Sequence, residues 1–265
     1  MEFDLSNIEL SKFDINKGLI LPKNPSEDLA EFIGILAGDG HISFETRENK
    51  ILVTGNSITD YLYFQTTVRG LLKNLFNIDC KVKKRKNINT IDIKFYSKAI
   101  VLFLKRMGYY KLNCIVIVPN WIVNNKKFHS PFLRGLFDTD GCVFRSNKKG
   151  APNYPCIELT TACLGLARFV KTILLWKSFR VPMIRSYKYS HSKNLSYKVS
   201  LYGYKNLNKW INEIGFSNTY KHNRTIEYKK WGDRKNQPLR HSSKIFESGI
   251  KDCPPLLDNS PTSSA

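Results

Sequence analysis

Two aspartates in matching surroundings are the residues best suited to chemistry. Asp39 closes the run Phe32-Ile33-Gly34-Ile35-Leu36-Ala37-Gly38-Asp39-Gly40, and Asp140 closes Leu133-Arg134-Gly135-Leu136-Phe137-Asp138-Thr139-Asp140-Gly141. They lie 101 positions apart (140 − 39). Written on a helix, each run delivers one carboxylate at the negative end of the helix dipole. Two such carboxylates brought together repel each other and attract a divalent cation. Hard oxygen donors suit Mg²⁺ or Mn²⁺, and such an ion can activate water and stabilise the leaving oxygen in phosphodiester hydrolysis. The charge of the chain points to the matching substrate. With 42 Lys+Arg against 22 Asp+Glu, a net charge of +20 implies a polyanionic partner, nucleic acid before anionic membrane.

The glycines say how the two runs meet. Gly34 and Gly38 are four apart, as are Gly135 and Thr139, which makes a flat stripe on one helix face. Glycine in a helix interior costs about 1 kcal/mol relative to alanine, so the stripe needs a packing reason. Near-contact of two helix backbones supplies it, where side-chain bulk otherwise holds axes ~8–10 Å apart. A calcium loop opening at Asp138 is excluded. Its fifth position would be Cys142 and its twelfth Lys149, where that loop needs an acidic or Asn ligand and a Glu.

Around the motifs the chain divides into two halves of matching grammar. Asn24, Pro25 and Glu27 read as cap, first helical residue and capping-box acid, and Ser130-Pro131 repeat the cap and the proline. Counting from the prolines, the first helix should be about a turn longer. After each Asp-Gly the pattern is a polar turn, a strand (51–54; 157–160), a helix (61–76; 164–179), and two strands (80–83 and 91–95; 183–187 and 197–201). A closing helix then stops at Gly108 or Gly215. The organisation expected is a 1–23 extension, half-domains at 24–125 and 126–232, and a tail at 233–265 without periodicity, read as disordered. Helices and strands in this order make the fold α+β.

On these residues the chain resembles the LAGLIDADG homing endonucleases, single-chain, two-motif type. The second copy is a close match. The first has Ala37 where the family has an earlier acid. The resemblance implies two pseudo-symmetric αββαββα half-domains, a saddle of two antiparallel sheets with the motif helices at the interface, and Asp39 and Asp140 as catalytic metal ligands. Gly38 and Thr139 are placed with them at the metal. It also implies a basic residue after the last strand of each half, Lys98 and Lys205, that neutralises the transition state or polarises the attacking water. A polar residue facing the water network is expected at Asn56 and Thr161. The activity implied is metal-dependent, site-specific cleavage of double-stranded DNA by a monomer, tied to intron homing. The alternatives are an RNA maturase that aids intron splicing, or a non-cleaving DNA-binding regulator on the same fold.

Basic residues recur along the strand sequences. Lys81, Lys83, Arg85 and Lys94 in the first half, and Arg185, Lys188, Lys193 and Lys198 in the second, are read as a cationic sheet face. A ribbon of that kind fits the DNA major groove.

Composition narrows the setting. No run of 18 or more apolar residues exists, and Met1-Glu2-Phe3-Asp4 lacks the basic start and apolar run of a signal peptide. The six cysteines form no C-x-x-C pair and are expected as reduced intracellular thiols. Residue 1 is neither Cys nor Ser and the end is not His-Asn, so a free-standing protein is expected in whatever compartment holds its target DNA.

Overall fold

Each motif helix forms where apolar residues recur at helical spacing, and the first also starts at a side-chain cap. The structure, a computed structural model, describes residues 2–43, 48–148, 151–188, 190 and 194–235. In chain order it contains α1 (Lys12–Asn16), α2 (Glu27–Ala37), β1 (Gly40–Ile42), β2 (Lys50–Asn56), α3 (Tyr61–Tyr63), a π-helical turn (Phe64–Val68), α4 (Arg69–Phe76), β3 (Val82–Lys84), β4 (Thr90–Tyr96), α5 (Lys98–Arg106), β5 (Tyr110–Leu112), β6 (Ile115–Ile117) and α6 (Asn120–Val123). The second half adds a 3₁₀ turn (Lys126–Phe128), α7 (His129–Thr139), β7 (Gly141–Lys148), β8 (Ala151–Thr161), α8 (Leu164–Trp176), β9 (Arg185–Lys188), β10 (Leu195–Tyr202), α9 (Gly203–Glu213) and α10 (Thr219–Lys235). Two four-stranded sheets share one topology, β1-β2-β4-β3 and β7-β8-β10-β9, with every pairing antiparallel. The α+β architecture of two matching halves is therefore the one expected.

Between the sheets, α2 and α7 pack side by side. A methyl group on Gly34 would run into the Phe132 carbonyl, and one on Gly135 into the Glu31 carbonyl. Glu31 and Phe132 stand 101 positions apart, as Gly34 and Gly135 do, so the two contacts are the same contact related by the pseudo-two-fold. Glu31 and Arg134 cross this interface as a bidentate ion pair at 2.7 and 3.0 Å, and the Ser217 hydroxyl donates to the other Glu31 oxygen.

Alternation within the strands separates core from open face. Ile51, Val53, Ile91, Ile93 and Phe95 are buried, as are Ile157, Leu159, Val199 and Leu201 in the second half. The residues between them face away from the helices.

Several local expectations are corrected. The cap of α2 is Ser26, whose hydroxyl accepts the Leu29 N–H at 3.1 Å, so Asn24 and Pro25 precede the helix. In the second copy, Ser130 and Pro131 lie inside the first turn of α7, which the 3₁₀ turn feeds directly. Pro131 is tolerated there because first-turn N–H groups have no intrahelical partner. Both helices are 11 residues long, so the first is not a turn longer. A strand begins at Gly40 and at Gly141 themselves, where a polar turn was expected. A side chain on either glycine would strike the preceding helical turn, at Leu36 or Phe137.

The ends of the chain complete the description. The 1–23 segment packs on the first half. Leu19 is buried, and Phe3 sits edge-on to Phe103 and Trp121. Helix α10 runs through Lys235, so 233–235 are helical; residues 236–265 lie outside the described residues.

Candidate active site

Helix geometry brings the two aspartates together. Gly38 ends α2 with its N–H bonded to the Gly34 carbonyl, and Asp140 ends α7 with its N–H bonded to the Leu136 carbonyl. The Thr54 N–H bonds to the Asp39 carbonyl at 3.2 Å and ties the end of α2 to β2. Gly38 lies against the Thr139 side chain and the Asp140 carboxyl group, with no room for a side chain of its own. The Asp39 and Asp140 carboxyl groups lie close enough for each to perturb the ionisation of the other.

Electrostatics follow from this closeness. Burial, then the neighbouring Asp140, push the Asp39 carboxyl up to about 8. Burial raises Asp140 as well, against the opposing pull of Lys111 and Lys221. Neighbouring carboxylates disfavour ionising together, so without a metal both are held to the protonated form more strongly than a free aspartate.

The compensating cations are two lysines absent from the expected set. The Lys111 ammonium, on β5, donates to the carbonyls of Leu36 and Gly38. The Lys221 ammonium, in the first turn of α10, donates to the carbonyls of Phe137, Asp138 and Thr139 at 3.0, 2.7 and 2.8 Å. Leu36 and Phe137, and Gly38 and Thr139, are pairs at the 101-residue offset. Each lysine therefore closes the C-terminus of one motif helix, where the dipole favours a cation. Burial pulls Lys111 below the ordinary lysine range, while Asp140 and Asp39 hold it up.

Lys98 and Lys205, the basic residues expected here, are exposed residues in the first turns of α5 and α9. Neither is among the groups that perturb the carboxyl pair. The signal that finds Lys111 and Lys221 is position relative to the helix-ending glycines. Lys111 follows Gly108 by three residues and Lys221 follows Gly215 by six, so a fixed offset between halves overlooks them. Asn56 and Thr161 are engaged in turns. The Asn56 side-chain oxygen Oδ1 accepts the N–H groups of Ile58 and Thr59, and the Thr161 hydroxyl accepts that of Cys163. The carbonyls of Gly38 and Thr139 accept the two lysines, and each retains a second lone pair.

Asp138, the extra acid of the second motif, is buried and faces away from the pair. Its carboxylate accepts the N–H groups of Ser217 and Asn218 at 2.9 and 3.0 Å. Burial raises it to about 7 in spite of those bonds.

The open sheet faces carry the expected basic residues, with exceptions. Lys83 and Arg85 share a face with Asp92 and Lys94, since Lys83 pairs with Asp92 in register. Arg85 is bound to Asp92 at 2.6 Å, Lys94 lies over the Tyr96 ring, and Lys81 is exposed just before β3. In the second sheet, Arg185 pairs with Lys198 and shares its face, and Lys198 bridges to Glu158 at 2.9 Å. Lys188 pairs with Leu195, three residues from Arg185 in a strand of period two, and so falls on the opposite face. Lys193 lies outside the described residues.

A fold of two such halves, with paired helices ending in a shared acidic site, defines a class, and comparison identifies it. A family model described as a LAGLIDADG-like domain matches residues 127–215. The structure of I-DmoI in complex with DNA and Mn aligns with a TM-score of 0.50 and 16% identity, over 72% of this chain and 97% of that one. Full-length DUF199/WhiA from Thermatoga maritima aligns with a TM-score of 0.52 and 12% identity, over 83% of this chain and 64% of that one. In sequence, the replication factor C small subunit of Methanocaldococcus jannaschii is 28% identical over 204 residues, 76% of this chain, which spans only 10% of that protein. The chain has the LAGLIDADG fold in both halves and carries a LAGLIDADG-like domain in the second.

Proposed function

We propose that the protein is a site-specific, divalent-metal-dependent DNA endonuclease. The observation that carries the reading is the convergence of Asp39 and Asp140 at the ends of two paired helices, with Gly38 against Asp140, flanked by Lys111 and Lys221. The donor set suits Mg²⁺ or Mn²⁺. Among the described residues no cluster of three or more His, Cys, Asp or Glu gathers, and Mg²⁺ takes one or two carboxylates and completes its shell with waters and substrate phosphates. When bound, the ion supplies an activated water and charge for the leaving oxygen.

The residues of the chain do the rest. Asp39 and Asp140 would hold the ion as carboxylates. Lys111 and Lys221, fixed by helix-end carbonyls, would neutralise charge developing on the scissile phosphates. The open sheet faces would grip the duplex, with Lys83, Arg85, Lys94, Arg185 and Lys198 toward phosphates and base edges. I-DmoI in its DNA complex supports this reading by fold.

Cleavage of a duplex selected from a random library tests it, assayed with Mg²⁺ and with Ca²⁺. Specific cutting in Mg²⁺ that Asp39→Asn or Asp140→Asn abolishes, with binding retained in Ca²⁺, is expected. Tight binding without cutting in any metal would establish instead a non-cleaving binder on the same fold.

A further inference from the structure

We infer that Asn218 is a positioning residue for Lys221, so that its loss slows cleavage of one strand and not of the other. The inference rests on the endonuclease reading and assigns a residue that the carboxylate pair alone does not reveal.

Asn218 is completely buried and all of its side-chain hydrogen-bonding capacity is used. Its amide donates to Asp60 Oδ1 at 2.9 Å and to the Asp138 carbonyl at 3.4 Å. Its side-chain oxygen accepts the N–H groups of Tyr220 and Lys221 at 3.1 and 3.4 Å. Its own N–H donates to Asp138 Oδ1 at 3.0 Å. A side chain that must donate twice and accept twice is an amide, because aspartate cannot donate and serine carries a single donor.

The bonds form a chain with fixed ends. Asp60 belongs to the first half, where its other oxygen accepts the Asn56 N–H at 2.8 Å. Asp138 belongs to α7, the helix whose end Lys221 closes. Asn218 therefore locks the start of α10, and with it the Lys221 backbone, to both halves. The first half is built differently. Ala37 occupies the position equivalent to Asp138, and Lys111 is carried by β5 in a two-stranded hairpin. Loss of the Asn218 chain should misplace one lysine and leave the other where it is.

The test is strand-resolved cleavage of a library-selected duplex in Mg²⁺, each strand carrying its own label, by full-length wild-type, Asn218→Ser and Asp60→Ala proteins. Asn218→Ser keeps an acceptor for the α10 cap, and Asp60→Ala leaves the cap untouched, so a folded variant remains if either fails. Cutting of one strand should fall by about tenfold to 10²-fold, the scale of an ångström-sized misplacement. The other strand should be cut at the wild-type rate, with nicked duplex accumulating. Lys221→Met should show the same strand preference, and Asn218→Ser added to it should have no further effect. Equal slowing of both strands, unchanged cutting of both, or additive effects with Lys221→Met would overturn the positioning role. Wild-type protein that cuts neither strand would refute the endonuclease reading first, and this inference with it.

Discussion

Lys221 closes the end of the helix that carries Asp140, yet of the two lysines it is the stronger influence on Asp39. Lys111 shows the mirror relation. It closes the end of the Asp39 helix and is the stronger influence on Asp140. The carboxylate of each half is thus stabilised across the interface, and the two halves form one electrostatic unit.

Removal of either lysine should therefore be severe. Lys111→Met and Lys221→Met are each expected to lower cleavage of one strand by ~10²–10³, the range for loss of one preorganised donor, while affinity in Ca²⁺ changes little. Lys98→Met and Lys205→Met should cut at rates near wild type. Single-turnover rates on a selected duplex check both halves of this statement.

The raised carboxyls give the metal-free protein a distinctive pH dependence. Asp39 rises to about 8 and Asp138 to about 7, both mainly through burial. The folded protein then binds more protons than the unfolded chain between about pH 4 and 8. The stability these two groups contribute is greatest below the ordinary aspartate range and is lost as pH rises through 7 and 8. Thermal midpoints in EDTA should fall across that window. Mg²⁺ should restore the part due to Asp39, because it favours the ionised pair, and leave the part due to Asp138. A midpoint that rises from pH 5 to 8 in EDTA would contradict the assignment.

What could be read from the residues, and what could not, divides along physical lines. The aspartate pair and the close packing at Gly34 and Gly135 are legible because each depends on spacing within one helix. The sheets are legible because Ile51, Val53, Ile91 and Ile93 alternate with polar residues. Lys111 and Lys221 are not, since one arrives on a strand and the other on a helix, and only the fold shows that both reach helix-end carbonyls. Lys188 is misassigned because the face of a short strand depends on register with β10, which composition does not encode. The caps fail for a related reason. Ser26 outcompetes Asn24 because its side chain reaches the Leu29 N–H, a matter of two residues in where the helix starts.

The glycine contact predicts a sharp contrast among substitutions. Gly34→Ala and Gly135→Ala each place a methyl on backbone of the opposite helix, so neither helix can yield without separating the halves. Destabilisation should reach or exceed the ~1–3 kcal/mol typical of overpacking. Gly70, within α4, has open space around it, and Gly70→Ala should stabilise by about 0.5–1 kcal/mol. Denaturant midpoints of the three variants provide the comparison.

The Glu31–Arg134 pair should matter for cohesion of the halves. The Glu31 side chain is 7% exposed and that of Arg134 28%. Glu31→Gln or Arg134→Met leaves the partner short of its charge in a largely dry interface. The loss should be somewhat below the ~3–5 kcal/mol of a fully buried pair, since Arg134 retains some solvent. A double-mutant cycle with thermal unfolding measures the coupling.

The last prediction concerns the open sheet faces and follows from strand parity. If those faces track the duplex, each phosphate contact contributes about −0.9 to the slope of log affinity against log salt. Lys83 and Lys94 are exposed on that face of the first sheet. Replacement of either by Ala should weaken binding to all sequences alike and make the slope shallower by about one. Arg185 projects on the corresponding face of the second sheet. Its guanidinium can meet a guanine edge bidentately, so Arg185→Ala should relax preference at one base pair. Arg85 is held by Asp92, and its removal exposes that carboxylate to the duplex, so Arg85→Ala should cost more than loss of one contact. Lys188 lies in the same strand as Arg185 but on the other face. Lys188→Ala should change neither slope nor preference. Salt titrations of these variants on selected and random duplexes test the parity directly: a Lys188→Ala slope that shifts as much as that of Lys83→Ala would mean that the duplex does not lie on the face opposite the helices.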